Sequence, residues 1–197
     1  MTTSAGPSGT GRTEIEIHSR AEWREWLLAN HATSPSIWLV FWKKDSGGPY
    51  VAYEDVVLEA LCFGWIDGQA RSVDAGRRSI LMAPRKPRSG WAGTNKARLE
   101  LLEAQGLMRP AGQAVVDAAK LDGSWTLYDD VEAGIEPPDL AAALDDDPAA
   151  RAAWDARPPS FRRLWLGQLV LAKTDATRRK RISLAIAEAL AHARNSP

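Results

Sequence analysis

The stretch that decides the fold of the first half of the chain is residues 60–74, which read ALCFGWIDGQARSVD. It begins as the apolar end of a helix, passes through a glycine and a tryptophan, and continues as a strand-like segment. Gly64 lies where a helix C-cap requires positive φ, a conformation that costs little without a Cβ. The sequence therefore predicts a helix near residues 53–63 that runs directly into a strand near residues 66–73.

The segments around this junction predict further strands and helices. Residues 13–17, TEIEI, alternate polar and apolar side chains with the period of a half-buried strand. Residues 36–44, SIWLVFWKK, have the β-branched and aromatic content of a strand that is buried on both faces. Ser19 and Glu22 form a capping box, which predicts that a helix begins there. The other predicted elements of this half are a strand over residues 79–83 and helices over residues 89–105 and 110–121.

The length and composition of the chain suit one large domain or two small ones. Its 197 residues are 45% apolar, which is enough for a core. Residues 123–138 lack periodicity and contain a Pro-Pro pair, so we predict a linker there. The predicted fold class is α+β, with a small mixed or antiparallel sheet, packed helices and a C-terminal helical module. The predicted parts are a disordered leader (1–12), an α+β domain (13–122), the linker (123–138) and the helical module (139–195).

Charge is balanced over the whole chain but not along it. The 25 basic and 25 acidic residues cancel, so the molecule as a whole has no electrostatic preference for nucleic acid or membranes. Residues 71–98 nevertheless hold eight bases and one acid, whereas residues 45–69 hold five acids and no base. This local contrast can concentrate an anion on one face of the protein.

The sequence predicts a cytoplasmic protein without membrane insertion. Its single cysteine, Cys62, excludes an intramolecular disulfide and fits a reducing compartment. The first twelve residues, MTTSAGPSGTGR, lack the apolar segment of a signal peptide. No apolar run approaches the length of a membrane-spanning helix.

Residues 84–96, PRKPRSGWAGTNK, have the pattern of a binding site. Two prolines stiffen a loop that leads into the helix start predicted near Ser89. Amides at a helix N-terminus attract anions, and arginine side chains bind carboxylate or phosphate groups in a bidentate manner. Trp91 adds a flat face for stacking. The alternatives are a solvated basic loop without a ligand and a contact surface for a protein partner.

The strand after Gly64 supplies the other side of this predicted site. The carboxylate of Asp67 should find a cationic partner, because an unpaired buried carboxylate is costly. Asp67 then either forms a structural salt bridge or holds an arginine in position for a ligand. A purely structural role for this stretch, with Trp65 packed against the helix end, is the alternative. The predicted ligand-binding residues are Trp65, Asp67, Arg71, Arg85, Arg88, Trp91 and Lys96.

A second basic patch supports a different prediction, in which the protein binds nucleic acid through residues 84–96 and the C-terminal helices. Consecutive bases on a helix point in several directions, so a solvated helix face is the structural alternative for this patch. Its residues are Lys173, Arg178, Arg179, Lys180 and Arg181.

Sequence signatures of enzymes are absent. The three histidines are scattered and form no metal-ligand spacing with the one cysteine. No nucleophile elbow, phosphate-binding loop or dinucleotide fingerprint follows a predicted strand. We therefore predict no catalytic residue, metal site or cofactor. The remaining enzyme hypothesis is an unrecognised acid–base pair, such as Asp67 with Lys96.

Several separated segments of the chain together have the pattern of a known family. They are AEWREWLLANHATSPSIWLVFWKK (21–44), EALCFGWIDGQARSVD (59–74), PRKPRSGWAGTNKAR (84–98), PPDLAAALDDDPAARAAW (137–154) and AKTDATRRKRI (172–182). These segments resemble the YdeI/OmpD-associated proteins, a bacterial family also labelled bacteriocin-protection proteins. The resemblance extends over roughly residues 13–192, and it implies association with an outer-membrane porin and tolerance of toxic peptides, without a defined reaction or cofactor. Together with the basic pattern, it predicts a cytoplasmic, non-enzymatic stress- or toxin-tolerance protein that binds an anionic small molecule or peptide.

Overall fold

The computed structural model describes residues 11–195 and divides the chain into two compact units. The first unit comprises the chain up to Ser89 together with Thr94–Trp125, and the second comprises Gly90–Gly93 and the chain from Thr126 onward. The first unit contains a mixed sheet with helices and the second is helical, which confirms the predicted α+β class. Most of the predicted leader, residues 1–10, lies outside the described residues.

The sheet of the first unit has the strand order β1-β2-β4-β3. β1 and β2 are parallel, whereas β4 is antiparallel to both of its neighbours, so the sheet is mixed. The burial of β2 from Ile37 to Phe41 agrees with a strand covered on both faces. The elements are β1 (Glu14–Glu16), α1 (Arg20–Asn30), β2 (Ile37–Trp42), α2 (Tyr53–Cys62), β3 (Trp65–Ser72), β4 (Arg77–Pro84), α3 (Gly93–Ala104) and α4 (Pro110–Asp122).

The predicted capping box at the start of α1 is present. The hydroxyl of Ser19 accepts a hydrogen bond from the amide of Glu22 at 3.1 Å. The Glu22 carboxylate in turn accepts from the amide of His18 at 2.9 Å. Two amides that have no partner within the helix are thereby satisfied, which fixes where α1 begins.

The helix–strand junction predicted from residues 60–74 is also confirmed. α2 ends at Cys62, Gly64 has φ +74°, and β3 begins at Trp65. A Cβ on Gly64 would lie 2.7 Å from Val115 Cγ2 on α4, so the close approach of that helix excludes a side chain as well. The position requires glycine for its conformation and for its packing.

The second unit is built from five helices among the residues that the structure describes. They are α5 (Asp129–Ala133), α6 (Pro138–Asp145), α7 (Pro148–Asp155), α8 (Pro159–Val170) and α9 (Asp175–Asn195). Their apolar faces bury Leu140, Leu144, Trp154 and Leu166 in one core. Asp147 caps α7, since its carboxylate accepts from the amides of Ala149 and Ala150.

One prediction about local structure was wrong, and one segment holds a helix that was not predicted. α3 begins at Gly93 and not near Ser89, because Arg88 adopts a left-handed conformation (φ +59°) and residues 85–92 stay outside the helix. The predicted linker, residues 123–138, contains the short helix α5, whose Val131 is buried. A helix of five residues with one buried side chain is too short to give a periodic apolar pattern, so the sequence did not reveal it.

Candidate functional site

A cavity of about 110 Å³ lies in the first unit, where the end of β2, the start of β4 and the start of α2 meet. It combines cationic and aromatic side chains, which is the chemistry predicted from sequence, but at different residues. We call it the Arg78 cavity. It is lined by Phe41, Trp42, Lys43, Lys44, Tyr50, Val51, Tyr53 and Arg78.

Strand alternation explains why an arginine lines this cavity. Arg78 lies two and four residues before Ile80 and Met82, which are both buried in the core. Side chains two apart on a strand share a face, so Arg78 is placed on the core face near the start of β4. There it pairs in register with Phe41 of β2. Its guanidinium carbon lies over two rings, 5.1 Å from the centre of Phe41 and 5.5 Å from that of Tyr53.

Two buried N–H groups on the lining residues have no hydrogen-bond partner within the described part of the chain. They are Arg78 Nε and Trp42 Nε1. Arg78 also forms no ion pair with any described residue, in contrast to its neighbour Arg77, which binds Glu16 at 2.8 Å. An unsatisfied buried donor costs about 1–3 kcal/mol, and more when it is charged, so such groups call for an acceptor from outside the chain.

The two lysines that line the cavity differ in whether their ammonium groups are already hydrogen-bonded within the protein. The ammonium group of Lys43 donates to the carbonyl oxygens of Asp74 (2.9 Å) and Ala75 (3.3 Å), so it is held by the β3–β4 turn. Lys44 is exposed and forms no hydrogen bond or ion pair with residues 11–195. The positive charges that can meet an incoming anion are therefore Arg78, which is half-buried, and Lys44 at the surface.

Asp67 is hydrogen-bonded to a neutral side chain. The hydroxyl of Tyr53 donates to the Asp67 carboxylate at 2.6 Å. Burial, together with this hydrogen bond and the charge of Asp67, raises the pKa of Tyr53 to about 12. The charge of Asp67 also contributes to the raised pKa of Arg98, whose main cause is its hydrogen bond with Glu54. The cation that interacts with Asp67 is therefore Arg98, which was not among the predicted ligand-binding residues.

Trp65, one of the predicted ligand-binding residues, is buried and does not line the Arg78 cavity. Its side chain is 1% exposed, and its indole nitrogen donates to the carbonyl of His31 at 3.1 Å. It also packs edge-on against the ring of Trp26, with a centroid distance of 5.6 Å. Trp65 is therefore a core residue that joins β3 to α1.

Arg71 contacts the other three strands of the sheet. Its guanidinium lies 3.9 Å from the centre of the Trp38 ring, and it donates to the hydroxyl of Ser79 at 3.0 Å and to the carboxylate of Glu14. These partners lie on β2, β4 and β1, so one side chain from β3 spans the sheet. Stacking and hydrogen bonds already use this arginine.

The residues predicted in the 84–96 segment are not brought together in one unit. Arg85 is buried, with its amide donating to Gly64, whereas Arg88 is exposed. Arg88 lies near Asp122. Hydrogen bonds with Ser124 are the main cause of the lowered pKa of Asp122, and Arg88 is a smaller cause. Trp91 is buried and belongs to the second unit.

Lys96 and the helix N-terminus near it also have partners. The ammonium of Lys96 lies 5.2 Å from the centre of the Trp125 ring, and Lys96 does not line the Arg78 cavity. The amide of Gly93, at the start of α3, donates to the carboxylate of Glu132 at 2.7 Å. The predicted site required free amides at this helix start to bind an anion. Because Glu132 already accepts from the Gly93 amide, this amide is not available to a ligand.

The C-terminal basic patch is partly used within the second unit. Arg178 forms a bidentate pair with Asp139 (2.5 and 2.9 Å) and donates to the carbonyl of Leu169. Arg181 donates to the carbonyl of Gln168. Lys173, Arg179 and Lys180 remain exposed, which leaves a smaller surface for nucleic acid than the sequence suggested.

Across the part of the chain that the structure describes, no group of three or more His, Cys, Asp or Glu side chains is placed to hold a metal ion. No described helix is long and apolar enough to cross a membrane. Cys62 is buried, and burial is the main cause that raises the pKa of its thiol.

Comparison with protein families assigns the two parts of the chain separately. Residues 15–115, which are half of the chain, match the family model described as Domain of unknown function (DUF8412). The chain belongs to the DUF8412 family. Residues 134–192 match the model described as Bacteriocin-protection, YdeI or OmpD-Associated, which confirms the resemblance over that part of the chain. Comparisons with curated proteins and with solved structures give no match.

The Arg78 cavity therefore lies in the DUF8412 part of this protein, and the YdeI/OmpD-associated part lies in the second unit. Sequence reasoning did not single out Arg78, Lys44, Tyr50 or Tyr53. One signal could have found Arg78, since it has the same strand parity as Ile80 and Met82. An arginine on the apolar face of a predicted strand is unusual, because it must be paired or must serve a site.

Proposed function

We propose that this DUF8412 protein binds an anionic small molecule or peptide in the Arg78 cavity, within a non-enzymatic, cytoplasmic role in tolerance of stress or toxic peptides. One observation carries the proposal. The Nε–H of Arg78 is buried and has no partner among the described residues, on a side chain that lines a cavity. A carboxylate or phosphate oxygen would satisfy this donor and the guanidinium charge together.

The aromatic residues of the cavity support an organic ligand. Tyr50 and Tyr53 line it, yet they are 52% and 36% exposed. Exposed rings at the edge of a cavity offer apolar faces to the uncharged part of a ligand. Lys44 adds a surface charge that attracts anions toward the entrance.

The tolerance role is supported only by ancestry. The family that matches residues 134–192 is described as bacteriocin-protection, YdeI or OmpD-associated. Binding of an anionic compound can provide such a role without a catalytic step, and we propose no catalytic residues.

Native mass spectrometry after incubation with a bacterial metabolite extract tests the proposal. We expect the wild-type protein to carry an anionic adduct that Arg78→Ala loses by at least about tenfold, because a charge-assisted hydrogen bond is removed. Lys86→Ala is the matched control, since it also removes one positive charge from the first unit, but from an exposed side chain that does not line the cavity. Circular dichroism checks that both variants are folded. An adduct that survives Arg78→Ala, or no anionic adduct on the wild type, would contradict the proposal.

Nucleic acid is the competing ligand. Several phosphate contacts would make affinity fall steeply as salt rises, whereas one anion in a cavity gives a shallow dependence. Fluorescence anisotropy with labelled single-stranded and double-stranded oligonucleotides, repeated at increasing salt, distinguishes the two. Tight binding with a steep salt dependence that is lost when Arg179 and Lys180 are replaced by Ala would favour nucleic acid.

A further inference from the structure

We infer that the group bound in the Arg78 cavity is a carboxylate with a single negative charge, carried by a flat apolar body, as in an aryl carboxylate. This inference rests on the proposed anion-binding function and names the class of its ligand. Three features of the cavity carry it: the surroundings of the guanidinium, the balance of charge, and the exposed rings.

The surroundings of Arg78 favour a ligand that approaches along the guanidinium edge. Its guanidinium carbon lies over the rings of Phe41 and Tyr53, at 5.1 and 5.5 Å from their centres. Aromatic rings stack against the flat faces of a guanidinium, so the N–H edge is left for polar contacts. The Nε–H on that edge is the donor without a partner in the described chain. A planar carboxylate pairs with such an edge through two parallel hydrogen bonds.

The charge around the cavity matches one negative charge better than two. Arg78 is the cation within the wall, because Lys43 is held by the β3–β4 turn and Lys44 is exposed. The Asp67 carboxylate accepts a hydrogen bond at 2.6 Å from the lining residue Tyr53, so its negative charge disfavours a doubly charged anion more than a singly charged one, and Arg98 offsets only part of that charge. A phosphate monoester carries about −1.5 to −2 at neutral pH, whereas a carboxylate carries one charge.

The size and rim of the cavity indicate how the rest of the ligand is bound. A volume of about 110 Å³ takes a small charged group and excludes a whole nucleotide. Tyr50 and Tyr53 combine contact with the cavity and exposure to solvent, so they form its rim. A flat apolar body attached to the carboxylate can lie against these rings, where stacking adds affinity.

A panel of five small probes tests this inference by ligand-observed NMR: benzoate, its neutral analogue benzamide, acetate, phenyl phosphate and inorganic phosphate. At pH 7.5 we expect benzoate to bind at least about tenfold more tightly than benzamide, because the amide has no charge to offer Arg78. We expect phenyl phosphate and inorganic phosphate to bind more weakly than benzoate. Tyr50→Ala should weaken benzoate binding and leave acetate binding unchanged.

Variants of Arg78 connect these affinities to the cavity. Arg78→Ala should lower benzoate affinity at least about tenfold, and Lys86→Ala should not change it. Arg78→Lys keeps the charge but loses the two parallel N–H donors of the guanidinium, so it should also weaken benzoate binding. This second variant provides the same test if Arg78→Ala fails to fold.

The outcomes separate this inference from the proposed function. If the phosphates bind as tightly as benzoate and lose affinity on Arg78→Ala, the cavity binds anions but the carboxylate inference is wrong. If benzoate and benzamide bind equally, the inference is also wrong. If no probe depends on Arg78 in either variant, both this inference and the proposed function are contradicted.

Discussion

Two arginines at adjacent positions of β4 have different surroundings in this protein. Arg77 and Arg78 follow each other on β4, and strand alternation turns them to opposite faces of the sheet. Arg77 meets the carboxylates of Glu16 and Asp74, at 2.8 Å each. Arg78 meets two aromatic rings and has a buried donor that no described residue satisfies. The face on which a base lies therefore decides whether it is structural or available to a ligand.

The hydroxyl of Tyr53 gives a prediction about pH. Its folded pKa is raised from 10 to about 12, so the neutral hydroxyl is favoured by the fold. The stability that this preference contributes is complete below pH 10 and is lost as the pH rises through about 12. We expect the ultraviolet titration of tyrosinate to show a step near pH 12 that is missing in Tyr53→Phe.

Replacing the partner of this hydroxyl refines the prediction. Asp67→Asn should move the Tyr53 step to lower pH because a neighbouring negative charge is removed. The shift should be partial, since burial is the larger cause of the raised pKa. A titration that is the same in wild type and Asp67→Asn would contradict the hydrogen bond between Tyr53 and Asp67.

At the scale of helices and strands, local signals in the sequence predicted most boundaries. The capping residues Ser19 and Asp147 mark helix starts, and Gly64 marks the junction of α2 with β3, because each of these depends on neighbours within a few residues. The start of α3 was misplaced because Arg88 adopts a left-handed conformation that its residue type does not predict.

Close packing of α4 against α2 gives a prediction about stability. A Cβ on Gly112 would clash with the carbonyl oxygen of Cys62 and would lie 2.7 Å from that of Leu61. We expect Gly112→Ala to lower the free energy of unfolding by about 2–3 kcal/mol, because backbone atoms cannot yield as a side chain can. Urea unfolding followed by circular dichroism measures the change.

Gly167 in α8 is the matched control. A Cβ there would meet nothing closer than Val131 Cγ1 at 3.9 Å, which is an ordinary contact. Gly167→Ala should be neutral or should stabilise by up to about 1 kcal/mol, since alanine is the better helix former. Equal effects of the two substitutions would show that helix propensity, and not packing, governs Gly112.

At the scale of the whole molecule, the family matches follow the structural division. The DUF8412 match, residues 15–115, falls in the first unit except for residues 90–93, and the match at residues 134–192 falls in the second. The sequence predicted the α+β class and the helical C-terminal part from periodicity. It also predicted basic and aromatic chemistry in the middle of the chain.

The location of the candidate site could not be predicted in the same way. Seven of its eight lining residues fall within residues 41–53, but Arg78 comes from β4 and meets them only in the folded sheet. The prediction of a site at residues 84–96 was based on the density of basic residues along the sequence. Which base lacks a partner depends on burial and strand register, which the sequence does not show directly. Arg71 shows the same limit, because its partners on three other strands are a consequence of register.

The most direct measurement of the central claim is the Nε–Hε NMR signal of Arg78 during titration with benzoate, assigned by its absence in Arg78→Lys. The account predicts that this signal moves on titration, because the buried donor gains an acceptor, while the signal of Arg71 stays in place. If benzoate binds and the Arg78 signal does not move, the anion lies elsewhere and the account is contradicted.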